Sequence, residues 1–137
     1  SELGIKLPLP SQSNTNRQTR LNKGLAAQKA IFGESIDTMR AQTPQELKHI
    51  QDYLSANCFG DYYTRSGLEL KERELLTFAL LASLGGADSQ LRSHVQGNLN
   101  IGNDKSVLLD TITQLLPYIG YPRSLNAITA VHEISKN

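Results

Sequence analysis

The sequence is poor in cysteine, and that alone removes several kinds of chemistry. Cys58 stands by itself among 137 residues, which excludes an intrachain disulfide, a CxxC redox pair and a cysteine-rich zinc site. We read it as a small core residue near the end of a helix rather than a reactive thiol. An excess of charge of either sign is missing as well: 14 basic and 13 acidic side chains leave a formal net charge of +1. So weak a field draws neither a phosphate backbone nor an anionic membrane, and nucleic acid is not expected as a partner. No apolar run reaches the roughly 18 residues of a spanning helix, and no signal-peptide block opens the chain, so a cytoplasmic protein without a membrane partner is expected. Met39 is the only methionine; the first residue is therefore a processed end or a boundary, and a removed leader stays open.

Strand-like alternation and internal repeats are absent too, and what remains is a series of bounded helices. The length suits one domain. Residues 1–16, with two prolines in a polar tract, read as an extended arm that orders against a partner subunit, leaving 17–137 as the helical domain. A helix is expected from Arg17 to Phe32, with Leu21, Leu25 and Phe32 on one face, Gln28 and Lys29 weakening the stripe and Gly33 stopping it. A short turn around Ile36 and Met39 follows. Thr43, Pro44 and Glu46 have the spacing of a cap, a first-turn proline and a capping-box acid. They open a helix whose buried stripe is Leu47, Ile50, Leu54 and Cys58, ended by Gly60, with His49 on the solvent side.

The segment Leu70–Leu84 is apolar on nearly every side beyond its first turn, as befits a central helix covered by other helices or by another subunit. After Gly85 and Gly86, Asp88 caps and Gly102 ends a helix in which Leu91, Val95 and Leu99 form the apolar row. Gln90, His94 and Asn98 run beside that row at intervals of four, so a titratable imidazole sits at the edge of the core. Asn103 or Asp104 starts a further helix through Val107, Leu108, Ile112, Leu115 and Leu116, which Pro117 kinks or ends. A last helix from Tyr121 and Pro122 turns Leu125, Ile128 and Val131 inward, with His132 at the edge. The fold class is all-α, an array of about six helices.

Three stretches in this order, FGDYYTRSGLELKERELLTFALLASLGG, QLRSHVQGNLNIG and YIGYPRSLNA, resemble the carboxymuconolactone decarboxylase family, whose helical fold is shared with the alkylhydroperoxidase AhpD. The resemblance runs from about Arg17 to the C-terminus. Its peroxidase branch carries a CxxC pair where this chain has Ala87 and Gln90, so a dithiol peroxidase cycle is set aside. The decarboxylase branch carries a Leu-x-x-His pattern that Leu91 to His94 match, although an acid often stands where this chain has Gln90.

The resemblance implies an AhpD-like fold and a homo-oligomer, either a trimer or a hexamer built from dimers. It also implies loss of carbon dioxide from a small carboxylated lactone, with no metal and no cofactor. Such a reaction must spread the electrons left by the departing carboxylate into the lactone carbonyl, then protonate the dienolate at carbon. His94 is the candidate proton carrier, because an imidazole holds and releases a proton near neutrality. Glu74, on the preceding helix of an antiparallel pair, is the candidate to orient the ring, or else a solvated first-turn acid. Arg73 and Arg92 are candidates to grip substrate carboxylates, or else surface and salt-bridging groups. Gln90, Tyr118 and Tyr121 complete the expected substrate-binding set, with helix packing an equal explanation for the tyrosines. The competing expectation is a noncatalytic oligomeric scaffold or small-molecule-binding protein.

Overall fold

A computed structural model describes residues 3–136, so the first two residues of the expected arm and the last of the expected domain lie outside it. Six α-helices account for the fold, and no strand occurs among the described residues. They are α1 (Arg20–Phe32), α2 (Ser35–Gln42), α3 (Lys48–Tyr53), α4 (Leu70–Leu84), α5 (Asp88–Asn100) and α6 (Lys105–Ile134). None of them is long and apolar enough to cross a membrane. Two packed clusters carry the core. Phe78, Ala82, Leu91, Val95, Leu108, Ile112, Ala127, Ala130 and Val131 join α4, α5 and α6. Ala27, Ile31, Phe59 and Tyr63 join α1 to the segment that follows α3.

That segment departs most from the sequence reading. The helix entered at Pro44 begins with a 3-10 turn, Gln45–Leu47, and the Thr43 hydroxyl donates back to the Met39 carbonyl at 2.9 Å instead of capping forward. From Leu54 to Tyr62 the chain then winds as a π-helix, straight through Gly60. The wider π turn rotates the buried face. Ser55, Phe59, Gly60 and Tyr63 point inward, while Leu47, Ile50 and Leu54, expected to be the buried stripe, are exposed.

Gly60 is needed for contact rather than termination. A Cβ at Gly60 would strike the Arg20 carbonyl, and one at Gly24 would strike the Ser55 carbonyl, so α1 and the π segment meet backbone to backbone. This approach also explains why α1 buries Gly24, Ala27, Gln28 and Ile31, with Leu21, Leu25 and Phe32 only half-buried. Gln28, expected to weaken the stripe, is accommodated because its Oε1 accepts from the Ser55 hydroxyl. α1 starts three residues later than expected, since the Asn16 side chain accepts from the Gln18 and Thr19 amides and holds a turn there.

The remaining helices follow their sequence signals more closely. Glu69 and Glu72 form a reciprocal capping box at the start of α4, and Asp104 Oδ1 accepts from the Val107 amide, at 3.0 Å, at the start of α6. Asp88 makes no cap to α5. Pro117 does not break α6; the interruption comes at Gly120, whose φ of 76° favours glycine. Pro122 falls in the first turn after that break, where its missing N–H would have no helical acceptor. Beyond it Ser124, Ala127, Ala130 and Val131 face inward, and Leu125 faces out.

Candidate functional site

The two clusters meet at α4 and α5, and a polar network occupies the seam. Glu74 lies on the α4 face that turns toward α5 and is 0% exposed. A carboxylate in that position is very costly unless it is paired and hydrogen-bonded. His94 supplies one partner: its Nδ1 lies 2.6 Å from Glu74 Oε1. The Tyr63 hydroxyl supplies the other, donating to Glu74 Oε2 at 2.9 Å.

Each partner is fixed in turn. Asn98, one turn after His94, donates through Nδ2 to the carbonyls of Glu74 (3.1 Å) and His94 (2.7 Å) and accepts from Asn103 Nδ2 at 2.8 Å. Phe32 packs its edge against the imidazole with ring centroids 5.4 Å apart. Gly97 leaves room for the carboxylate: a Cβ there would lie 2.5 Å from Glu74 Oε1 and 2.7 Å from Phe32 Cε1. The sequence thus places a residue without a side chain where α5 passes over the ion pair.

When Glu74 is ionised it can only accept, which makes Nδ1 the donor and leaves Nε2 over for further proton exchange. The His94 side chain is 15% exposed, between bulk solvent and a sealed core. Burial, and then the charge of Glu74, push the Tyr63 phenol far above its ordinary range and hold it protonated. The same two causes, in the same order, push the Cys58 thiol up, away from the reactive thiolate.

Of the residues expected at the site, the chain brings His94 and Glu74 together and places the rest elsewhere. Arg73 donates to the carbonyls of Leu68 (3.0 Å), Arg65 (2.8 Å) and Ser66 (3.2 Å), because the irregular segment before α4 has backbone acceptors to satisfy. Arg92 pairs with Glu133 of α6 at 2.8 Å. Gln90 is exposed and accepts from the Ser89 hydroxyl. Tyr118 and Tyr121 stand out at 86% and 71% exposure, lining no cavity around the imidazole.

Two surface depressions lie away from His94. One of about 670 Å³ lies between α2 and α3, bordered by Met39, Leu47 and Ile50, and one of about 600 Å³ lies beside Lys23, Tyr63 and Arg65. Sequence reasoning gave no role to Tyr63, Phe32, Gly97 or Asn98. Asn98 had a local signal, its spacing of four from His94; Gly97 shares α5 but has no side chain to mark it, and Tyr63 and Phe32 reach the pair from distant segments.

A family model described as the carboxymuconolactone decarboxylase family matches residues 48–133, which include Tyr63, Glu74, His94 and Asn98. The 4-carboxymuconolactone decarboxylase of Acinetobacter baylyi (strain ATCC 33305 / BD413 / ADP1) is 28% identical over 123 residues, covering 89% of this chain and 91% of that relative. With more than half of its length matched, the chain belongs to the carboxymuconolactone decarboxylase family.

Proposed function

We propose that this protein is a carboxy-lyase that needs no cofactor, acting on a small carboxylated lactone with His94 as general acid and base. One observation carries the reading: a fully buried carboxylate, Glu74, sits 2.6 Å from the Nδ1 of a partly exposed imidazole. A carboxylate so placed fixes the ring and its tautomer, and it stabilises the imidazolium when Nε2 takes a proton. In the reaction Nε2 would deliver that proton to the carbon of the dienolate left by departing carbon dioxide. The name of the Acinetobacter relative supports the substrate class.

Substrate contacts are proposed from residues of α4, α5 and α6. Gln90 and Arg92 share α5 with His94, and Arg92 would exchange Glu133 for a substrate carboxylate. Arg73 would join them by exchanging its carbonyl partners in the same way. Tyr118 and Tyr121 would close the site once covered by another copy of the chain.

Self-association is part of the proposal. Leu76, Leu80 and Leu84 make an exposed row along α4, with Leu80 61% exposed, and Leu125 is exposed near the two tyrosines. Apolar rows of this kind are commonly subunit contacts. Gel filtration at micromolar concentration should give an assembly larger than 15.1 kDa, and Leu80→Glu should shift it toward the monomer. A monomeric parent protein refutes the assembly.

The activity itself is tested by incubating the protein with carboxymuconolactone and related lactone acids while following carbon dioxide release. Release above the uncatalysed rate is expected. A second reading, a noncatalytic scaffold or small-molecule-binding protein, draws on the surface depressions that lie away from His94. Binding of these acids without carbon dioxide release would favour it.

A further inference from the structure

The Tyr63 hydroxyl touches the buried carboxylate but has no part in the proton transfer just described. Glu74 offers two oxygens in a buried site, one facing His94 and the other facing Tyr63. We propose that Tyr63 is a positioning residue: by donating to Glu74 Oε2 it keeps the carboxylate ionised and accepting from His94 Nδ1, so that Nε2 is the nitrogen that works on substrate. This inference rests on the reading of His94 as the proton carrier.

A carboxylate beside an imidazolium has an alternative to the ion pair. It can take the Nδ1 proton, become a neutral carboxylic acid and donate to the ring, whose remaining proton then sits on Nε2. In a buried site the neutral pair competes well, because desolvation disfavours charge. A ring in that state is a neutral imidazole rather than an imidazolium and hence a poorer acid at Nε2, since giving up that proton requires the carboxyl proton to return to Nδ1 as it leaves. A second donor to the carboxylate tips the balance back, because hydrogen bonds to ionised acceptors are about twice as strong as neutral ones.

Tyr63 is built for that task. Its ring packs in the second core cluster, 4.7 Å from Phe59 between centroids, and its hydroxyl is locked between Glu74 and Thr77. Burial, then the charge of Glu74, keep the phenol protonated and hence a donor. The Thr77 hydroxyl reaches the Arg73 carbonyl at 3.0 Å, so it is a rival acceptor for the Tyr63 proton, and the negative charge on Glu74 wins.

The titratable groups facing Glu74 are His94 from α5, Cys58 from the π segment and Tyr63 immediately after it. From α1 the neighbours at this seam are Ile31 and Phe32, which carry no charge. Cys58 and Tyr63 are both held protonated, so neither adds a charge beside Glu74.

Nitrogen NMR of the imidazole in the full chain tests this independently of turnover. On the acid side of the transition the parent ring should carry protons on both nitrogens. In Tyr63→Phe, Nδ1 should become an acceptor from the Glu74 carboxyl, leaving a proton on Nε2 alone. The transition, and the matching limb of the activity profile, should move up by about one pH unit, with kcat lowered and KM retained. Thr77→Val removes the rival acceptor together with its bond to the Arg73 carbonyl and leaves the Tyr63 hydroxyl to Glu74 alone, so its transition should stay or move down.

Protons on both nitrogens and an unmoved transition in folded Tyr63→Phe would overturn the proposal. If Tyr63→Phe does not fold, an upward move in Thr77→Val overturns it instead. A displaced Nδ1 signal in a protein without lyase activity leaves the role of Tyr63 standing and removes the enzymatic reading alone.

Discussion

His94→Asn should lower lactone turnover by about 10² to 10⁴-fold while leaving the fold intact, the usual loss when a positioned proton carrier is removed. Asparagine is the informative replacement, because its Nδ2 can donate to Glu74 Oε1 roughly where the imidazole Nδ1 does. The buried carboxylate keeps its second partner, and only the group at Nε2 is lost. His94→Ala would remove both. Stripping one partner from a buried pair costs about 3–5 kcal/mol, so a turnover loss in alanine mixes chemistry with instability. Circular dichroism and a thermal midpoint should therefore match the parent for asparagine. Equal turnover by the parent and a folded asparagine protein would remove His94 from the mechanism.

Gly24→Ala should destabilise the chain by about 3 kcal/mol or more, at the upper end of what overpacking costs. The added Cβ meets the carbonyl of Ser55 and comes within 2.8 Å of the Gly60 amide nitrogen, so both obstacles are main chain. No rotamer relieves the clash; α1 and the π segment must move apart, opening the cluster of Ala27, Ile31, Phe59 and Tyr63. Gly60→Ala should behave alike, through the carbonyl of Arg20. The exposed Ala26→Ser on the same helix is the control, expected within about 0.5 kcal/mol of the parent. Urea midpoints read all three. A Gly24→Ala protein as stable as the control would show that the two segments do not need their close approach.

The two predictions share a structural root. Phe32 and Ile31, which flank the His94–Glu74 pair through Gly97, stand on the helix that Gly24 seats. A Gly24 substitution that leaves a folded protein should therefore loosen the imidazole as well, lowering turnover without touching any group of the pair.

How far the sequence could be read differs between the halves of the chain. In α5 and α6 the apolar rows recur at helical spacing, and the ends carry their own punctuation, Gly85 and Gly86 after α4, then Gly102, then Asp104. Leu91 and Val95 accordingly lie in the core where the spacing put them. Around α3 the same arithmetic pointed to the wrong face. Hydrophobic spacing assumes 3.6 residues per turn, and the π segment does not keep it.

What the sequence determined by itself is the helical class, most helix ends and the presence of an imidazole beside a core row, because each depends on residues within one or two turns of one another. Tertiary structure alone decided that Glu74 is buried against that imidazole, that Tyr63 holds its other oxygen, and that Gly24, Gly60 and Gly97 are required. It also decided that Arg73 and Arg92 are engaged by neighbours within the chain. These features depend on which backbones approach closely enough to exclude water and side chains. Packing between distant segments sets that distance, and no local spacing encodes it.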